Sequence, residues 1–247
     1  VTVWSLAELA YFYARRAKIL AHAFEVKVPW NLQREATLIV DQKTERVLQQ
    51  WAIVSALCWL SLDLCNGLSP ALSQFEVSTR VKCSTLYGLS LGYLSRYYEG
   101  HRRLNEAHAL LSRSNTGLKG YDLAAIHLRR AELFLCQSED EIMQHSVTTA
   151  PKCVLDGAKS FSQSTVSSNR LPIVFAHIDD AWVSLERAEL ALSGNRRSSL
   201  WWGRLYALKL RTFSQFRCIP SGVGRDVWQI GRLPMPMRIR VEVDSFL

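Results

Sequence analysis

Small and apolar residues recur along this chain at helical spacing. Ala10, Ala14, Ala17 and Ala21 fall at i, i+4, i+7 and i+11, which is one stripe of a helix with 3.6 residues per turn. Ala124, Leu128, Ala131 and Leu135 repeat that spacing, and so do Ala181, Leu185, Ala188 and Leu192. Small side chains on such a stripe let another helix approach closely. Pro29 ends the first element or follows it, and Asn31 can cap the next, a helix or pair of helices over 32–64 stopped by Asn66-Gly67 and Ser69-Pro70. Residues 51–62 are apolar nearly all round, the pattern of a helix sandwiched between neighbours.

Further helices are predicted from Pro70 to about Tyr98 with Gly100 as the stop, and over 102–112 with Leu104, Ala107 and Leu111 inward. Others are predicted over 121–136, about 140–150, 172–192 and 198–216. Residues 115–120 read as a turn and the serine-rich 160–169 as a loop. Beyond 218 the pattern changes, because Pro220, Gly222, Gly224, Gly231, Pro234 and Pro236 forbid a long helix. Residues 238–244 then alternate polar and apolar, the period of a half-buried strand that must pair with a hairpin near 227–230 or with a following domain. The expected fold class is all-α, a helical-hairpin solenoid of eight to ten helices over 1–218, followed over 219–247 by a Pro/Gly-rich tail containing one strand.

Two of the predicted helices share more than a stripe. Leu128 to Leu135 and Leu185 to Leu192 both read Leu-x-Arg-Ala-Glu-Leu-x-Leu, 57 residues apart, and self-similarity on helices points to stacked hairpins. Around this repeat the chain resembles the tetratricopeptide repeat, a helix–turn–helix with small residues at its close-packing points. Leu91, Leu94, Ser95 and Tyr98 match its first helix and Ala107, Leu111 and Ser114 its second; the next unit aligns Ala131 and Phe134, then Val147 and Ala150. The match is better over 86–150 than over 172–216, and Arg130, Met143 and Lys119 depart from the pattern. The resemblance implies a concave surface that binds a peptide or a neighbouring domain.

Composition agrees with a globular chain. At 247 residues, 48% hydrophobic and 21% charged, it has enough apolar surface to fold without disulfide or metal staples. The longest uncharged stretch, 47–62, is 16 residues and contains two glutamines and two serines, short of the roughly 20 apolar residues that a bilayer span needs. It reads as a buried core helix, and no membrane partner is expected. Residues 1–18 have the pattern of neither a signal nor a transit peptide, and Val1 in place of an initiator Met makes a module of something larger the expected context. Cys58, Cys65, Cys83, Cys136, Cys153 and Cys218 show no Cys-x-x-Cys spacing, so reduced structural thiols in an intracellular compartment, cytoplasm or nucleus, are expected.

Charge is unevenly placed. Residues 193–247 hold ten Lys/Arg against three acids, so seven of the eight net positive charges fall there. Such a field attracts anionic partners, and nucleic acid is the alternative partner it implies.

Motifs with chemistry are few. Gly88-Leu89-Ser90-Leu91-Gly92 fits the nucleophile elbow of α/β-hydrolases, but that motif requires a preceding strand where the pattern is helical. Asp179-Asp180 resembles the aspartate pair with which isoprenoid synthases hold magnesium, yet Val183 stands where a third carboxylate is needed, so a favourable helix N-terminus is the simpler reading. Residues 138–141 read likewise as a cap and an acidic first turn. His101 and His108 share a face two turns apart, His127, His145 and His177 stand alone, and no cofactor or metal is expected. The expectation is a non-catalytic scaffold that binds another protein or another domain of its own chain. Its groove is expected to be lined by Tyr98, Arg102, Arg129, Trp201, Trp202, Arg204 and Arg211, the adjacent tryptophans pointing about 100° apart so that one faces outward.

Overall fold

The computed structural model describes residues 2–24, 42–66, 74–113, 119–148, 171–193 and 199–217. Among them the chain forms α1 (Val3–Ala23), α2 (Gln42–Asn66), α3 (Gln74–Tyr93), α4 (Tyr97–Arg113), α5 (Lys119–Thr148), α6 (Leu171–Ser193) and α7 (Ser199–Arg217), with no strand. The described fold is all-α. The expected tail strand, the serine-rich loop, Cys153 and Cys218 lie outside the described residues.

The small-residue stripes act as expected. Ala10, Ala14 and Ala17 of α1 pack with Val47, Trp51, Val54 and Cys58 of α2, and Leu86, Leu89 and Tyr93 of α3 with Cys136 of α5 complete that cluster. Trp51 is fully buried and stacks on Tyr93, with ring centroids 4.1 Å apart. The opposite stripe of α2 departs from the sandwiched helix that its pattern predicts. Ile53, Leu60 and Leu64 fall at i, i+7 and i+11 and are exposed, with Trp59 on the flank 53% exposed. By length and composition α2 is long and apolar enough to cross a membrane, a property that core helices of soluble proteins share.

Between α3 and α4 the boundaries differ from those predicted. The helix expected to run to Tyr98 ends at Tyr93, and the next starts at Tyr97 rather than 102. Ser95 takes φ 59°, its N–H reaches Gly92 O at 2.9 Å, and Arg96 N–H reaches Leu91 O at 2.8 Å. This pair of bonds is a Schellman closure, which satisfies the last carbonyls of a helix and reverses the chain. Gly100 is therefore no stop: it lies inside α4, opposite Gly88. Because a left-handed backbone costs a side chain roughly 1 kcal/mol and costs glycine little, Ser95→Gly is expected to raise stability by about 0.5–1 kcal/mol, read as a higher urea midpoint.

The second boundary change is at α5. Two helices, 121–136 and 140–150, were predicted, and one helix of 30 residues is found, about 45 Å long at 1.5 Å per residue. Ser138, Glu139, Asp140 and Glu141 are thus mid-helix and cap nothing. Their polarity is used sideways: Tyr97 donates to Asp140 at 3.3 Å, and Arg211 and Gln215 donate to Glu139. Positions aligned to separate tetratricopeptide helices, Phe134 and Val147, consequently share α5, while Leu91 and Tyr98 lie on opposite sides of a turn.

Helix α5 is the axis of the molecule. It packs against α3, α4, α6 and α7, and Lys18 of α1 also reaches it. The two copies of Leu-x-Arg-Ala-Glu-Leu-x-Leu face each other here, Leu128, Ala131 and Leu135 of α5 meeting Leu185, Ala188 and Leu192 of α6 in one buried cluster. The stacking of Phe134 on His177, and the nearness of the Arg187 charge that acts on both Arg130 and His127, make the pair antiparallel.

Candidate functional site

The repeated motif also places its acids. Glu132 of α5 and Glu189 of α6 hold the same motif position, and both accept from α7: Arg204 Nη2 lies 2.7 Å from Glu132 Oε2 and Lys209 Nζ 3.1 Å from Glu189 Oε2. Glu132 is 3% exposed and is also bonded by Lys18 of α1 and the Tyr93 hydroxyl of α3. Burial by itself would raise its carboxyl; Lys18 and Arg204, with the bonds from Lys18 and Tyr93, outweigh burial and hold it well below the usual carboxylate range. Two turns along, Arg211 grips Glu139 with two nitrogens at 3.0 and 2.7 Å, and Gln215 joins Glu139 and Leu135 O. Three helices, α1, α3 and α7, are therefore tied to α5 through Glu132 and Glu139, which face one side.

A cavity of about 240 Å³ opens beside this node, between α1, α3, α5 and α7. Arg129, Trp201 and Arg204, three of the residues expected to share a groove, line it. The others do not join them. Tyr98 is 81% exposed and stands on the outer side of α4 with Arg102, one turn away, while Arg211 is held by Glu139. Trp201 and Trp202 are both half-buried against the α5–α6 core, so neither is the fully outward ring that the 100° splay predicted. The cations of α7 face inward because the amphipathic period that buries Leu205 and Leu208 sets Arg204, Lys209 and Arg211 at the edges of the same face. No family model, curated protein or solved structure matches this chain.

The Gly-x-Ser-x-Gly motif occupies the C-terminal turns of α3, where its glycines have a packing role. A Cβ on Gly88 would come within 2.8 Å of Gly100 O, and one on Gly92 within 1.8 Å of Leu133 Cδ1. Ser90 is fully buried and donates to Tyr87 O at 2.8 Å. The motif is thus a point of close approach between α3, α4 and α5.

Asp179 and Asp180 lie in the third turn of α6, beyond the reach of the macrodipole that would explain an acidic first turn. Burial, then Asp180 beside it, pushes the Asp179 carboxyl up to about 6. Among the described residues no three His, Cys, Asp or Glu converge as metal ligands. Cys58, Cys65, Cys83 and Cys136 are free and buried, and burial raises each thiol, that of Cys136 to about 12.

Tertiary packing pairs histidines that stand alone in the sequence. His108 meets His127 with centroids 5.7 Å apart, and His101 and His177 lie against Phe134. Burial, aided by Arg130, pushes both His101 and His127 down to about 4. The unfolded chain protonates these rings near 6.5 and the folded one does not, so the unfolded state gains protons first as pH falls. Stability from this source is complete above pH 6.5 and is lost between 6.5 and about 4. Urea midpoints across that range should fall, and His127→Asn should make the fall shallower.

Proposed function

We propose that this chain is a non-catalytic helical scaffold that docks onto another protein, or onto another domain of its own parent chain. The supporting observation is the outward face of the first helices. On α1, Trp4, Phe12 and Ile19 are 50%, 59% and 60% exposed and lie within about one third of the helix circumference, opposite the buried alanines. The exposed Ile53, Leu60 and Leu64 of α2 add a second apolar stripe. Large aromatic and aliphatic groups on a surface are where binding energy concentrates.

The nucleic-acid alternative has less to stand on. Arg204, Lys209 and Arg211, three of the ten basic residues of the 193–247 region, are each neutralised by a glutamate of α5 or α6. Retention of the chain on duplex DNA or RNA at low salt, falling steeply as salt rises, would reinstate it.

A photo-crosslinking amino acid at Phe12 and at Ile53, compared with the same group at the exposed Arg113, tests the docking proposal. A single protein, identified by mass spectrometry, should be captured from positions 12 and 53 and not from 113. Adducts to lipid alone, or equal labelling at all three positions, would refute it.

A further inference from the structure

From the cavity beside Arg129 we infer a second property, independent of the docking proposal: it is a binding site for a small monocarboxylate with a flat apolar body. Arg129 is the most buried charged residue of its lining. Its residue is 7% exposed, and its Nε is buried with no hydrogen-bond partner among the described residues. A buried guanidinium is normally matched by an anion, because burial without one costs several kcal/mol. The carboxylate that bears most on Arg129 is Glu132, and Lys18, Tyr93 and Arg204 already engage it. Three cations thus gather on one acid. Burial, then the Arg204 charge, pushes the Arg129 guanidinium down to about 10, the direction expected of a cation short of anionic partners.

The walls select the ligand. Tyr11 and Trp201 supply aromatic surface, and Leu86 and Ala125 supply aliphatic surface between them. The planar fork of a guanidinium fits the two oxygens of a carboxylate. At about 240 Å³ the space falls below the roughly 300–1,000 Å³ of sites for drug-sized molecules, so a single ring with one acid group is the scale it holds. Glu8 and Asp122 also line the cavity, with Lys82 facing Asp122. Glu8 and Lys82 are exposed and Asp122 half-buried, which places this charged group at the rim, away from the deep guanidinium. Two rim carboxylates disfavour a dianion. Thr85, the neutral hydroxyl of the lining besides Tyr11, donates to Val81 O, so a phosphate would find few donors for its oxygens.

Benzoate, benzamide, inorganic phosphate and the tripeptide Gly-Gly-Phe are the probes, each titrated into the full chain with melting temperature and tryptophan emission as readouts. Benzoate should raise the melting temperature saturably and change an emission signal that Trp201→Phe removes. Benzamide has the same shape without the charge and should have no effect at equal concentration. Arg129→Met should weaken benzoate at least tenfold. Ala125→Leu, which fills the cavity without altering a charge, should weaken it as much while leaving the melting temperature of the free protein within a few degrees. Equal response to benzoate and benzamide, no response to benzoate, or benzoate binding retained in Ala125→Leu would overturn the inference. Phosphate bound in preference to benzoate would overturn the ligand class. Tenfold tighter binding of the tripeptide would move the source of the carboxylate from a free acid to a chain terminus and overturn the small-molecule assignment.

Discussion

Replacing Glu132 by Gln is expected to cost about 3–5 kcal/mol of folding stability, a large share of the roughly 5–15 kcal/mol by which a domain is stable. The shape of the side chain is nearly kept; the charge is not. Lys18, Arg129 and Arg204 would then face one another around a neutral amide, and the Tyr93 hydroxyl would lose a charged acceptor. The pH dependence separates this cause from a packing defect. Because the folded carboxyl titrates well below 4.5, its contribution is complete above pH 4.5 and is lost as pH falls below that value. Urea unfolding at pH 7 should show the full gap between wild type and Glu132→Gln, and the gap should close in the acid range. A gap that stays constant from pH 7 to pH 3 would remove the electrostatic explanation. In an Arg204→Met background the same replacement should cost less, since one cation fewer is stranded.

The second large effect is expected at the close crossing of α3 and α4. Alanine favours a helix over glycine by about 1 kcal/mol, so glycine-to-alanine changes inside helices ordinarily stabilise. Gly203 of α7 has nothing within 4 Å of an added Cβ, and Gly203→Ala should gain about 0.5–1 kcal/mol. Gly100→Ala should go the other way. Its Cβ would lie 2.7 Å from Gly88 O, a backbone atom that moves only if the two helices separate, and Gly88→Ala meets Gly100 O at 2.8 Å. Overpacking of this kind costs about 1–3 kcal/mol beyond the propensity it recovers. Chemical denaturation of the three variants side by side gives opposite signs if the crossing is as tight as the geometry has it, and the same sign if it is not.

Those glycines show how a motif changes meaning with context. As five letters, Gly-Leu-Ser-Leu-Gly is a nucleophile elbow; in the last turns of a helix it is a flat patch against which a second helix lies. The missing strand was visible in the helical period before residue 88, but the partner, Gly100, was not. Gly100 had the local signature of a helix stop, and only the Schellman closure around Ser95, five residues earlier, shows that the chain had already turned.

Helical character, the buried stripes of α1, α5 and α6, and the inward Leu104, Ala107 and Leu111 of α4 could all be read from the letters, because each depends on a period within a few residues. The candidate site could not. Glu132 takes its donors from residues 114, 72 and 39 positions away. No local pattern distinguishes an arginine that will meet it from one that will face water. Arg129, Arg204 and Arg211 are therefore expected from sequence to line an open groove for a partner, while in the fold Glu132 and Glu139 hold Arg204 and Arg211 and Arg129 is buried. Periodicity states which face of a helix is buried; only the packing of helices far apart in the chain states against what, since charge pairing and steric fit are settled by distances in space that sequence separation does not encode.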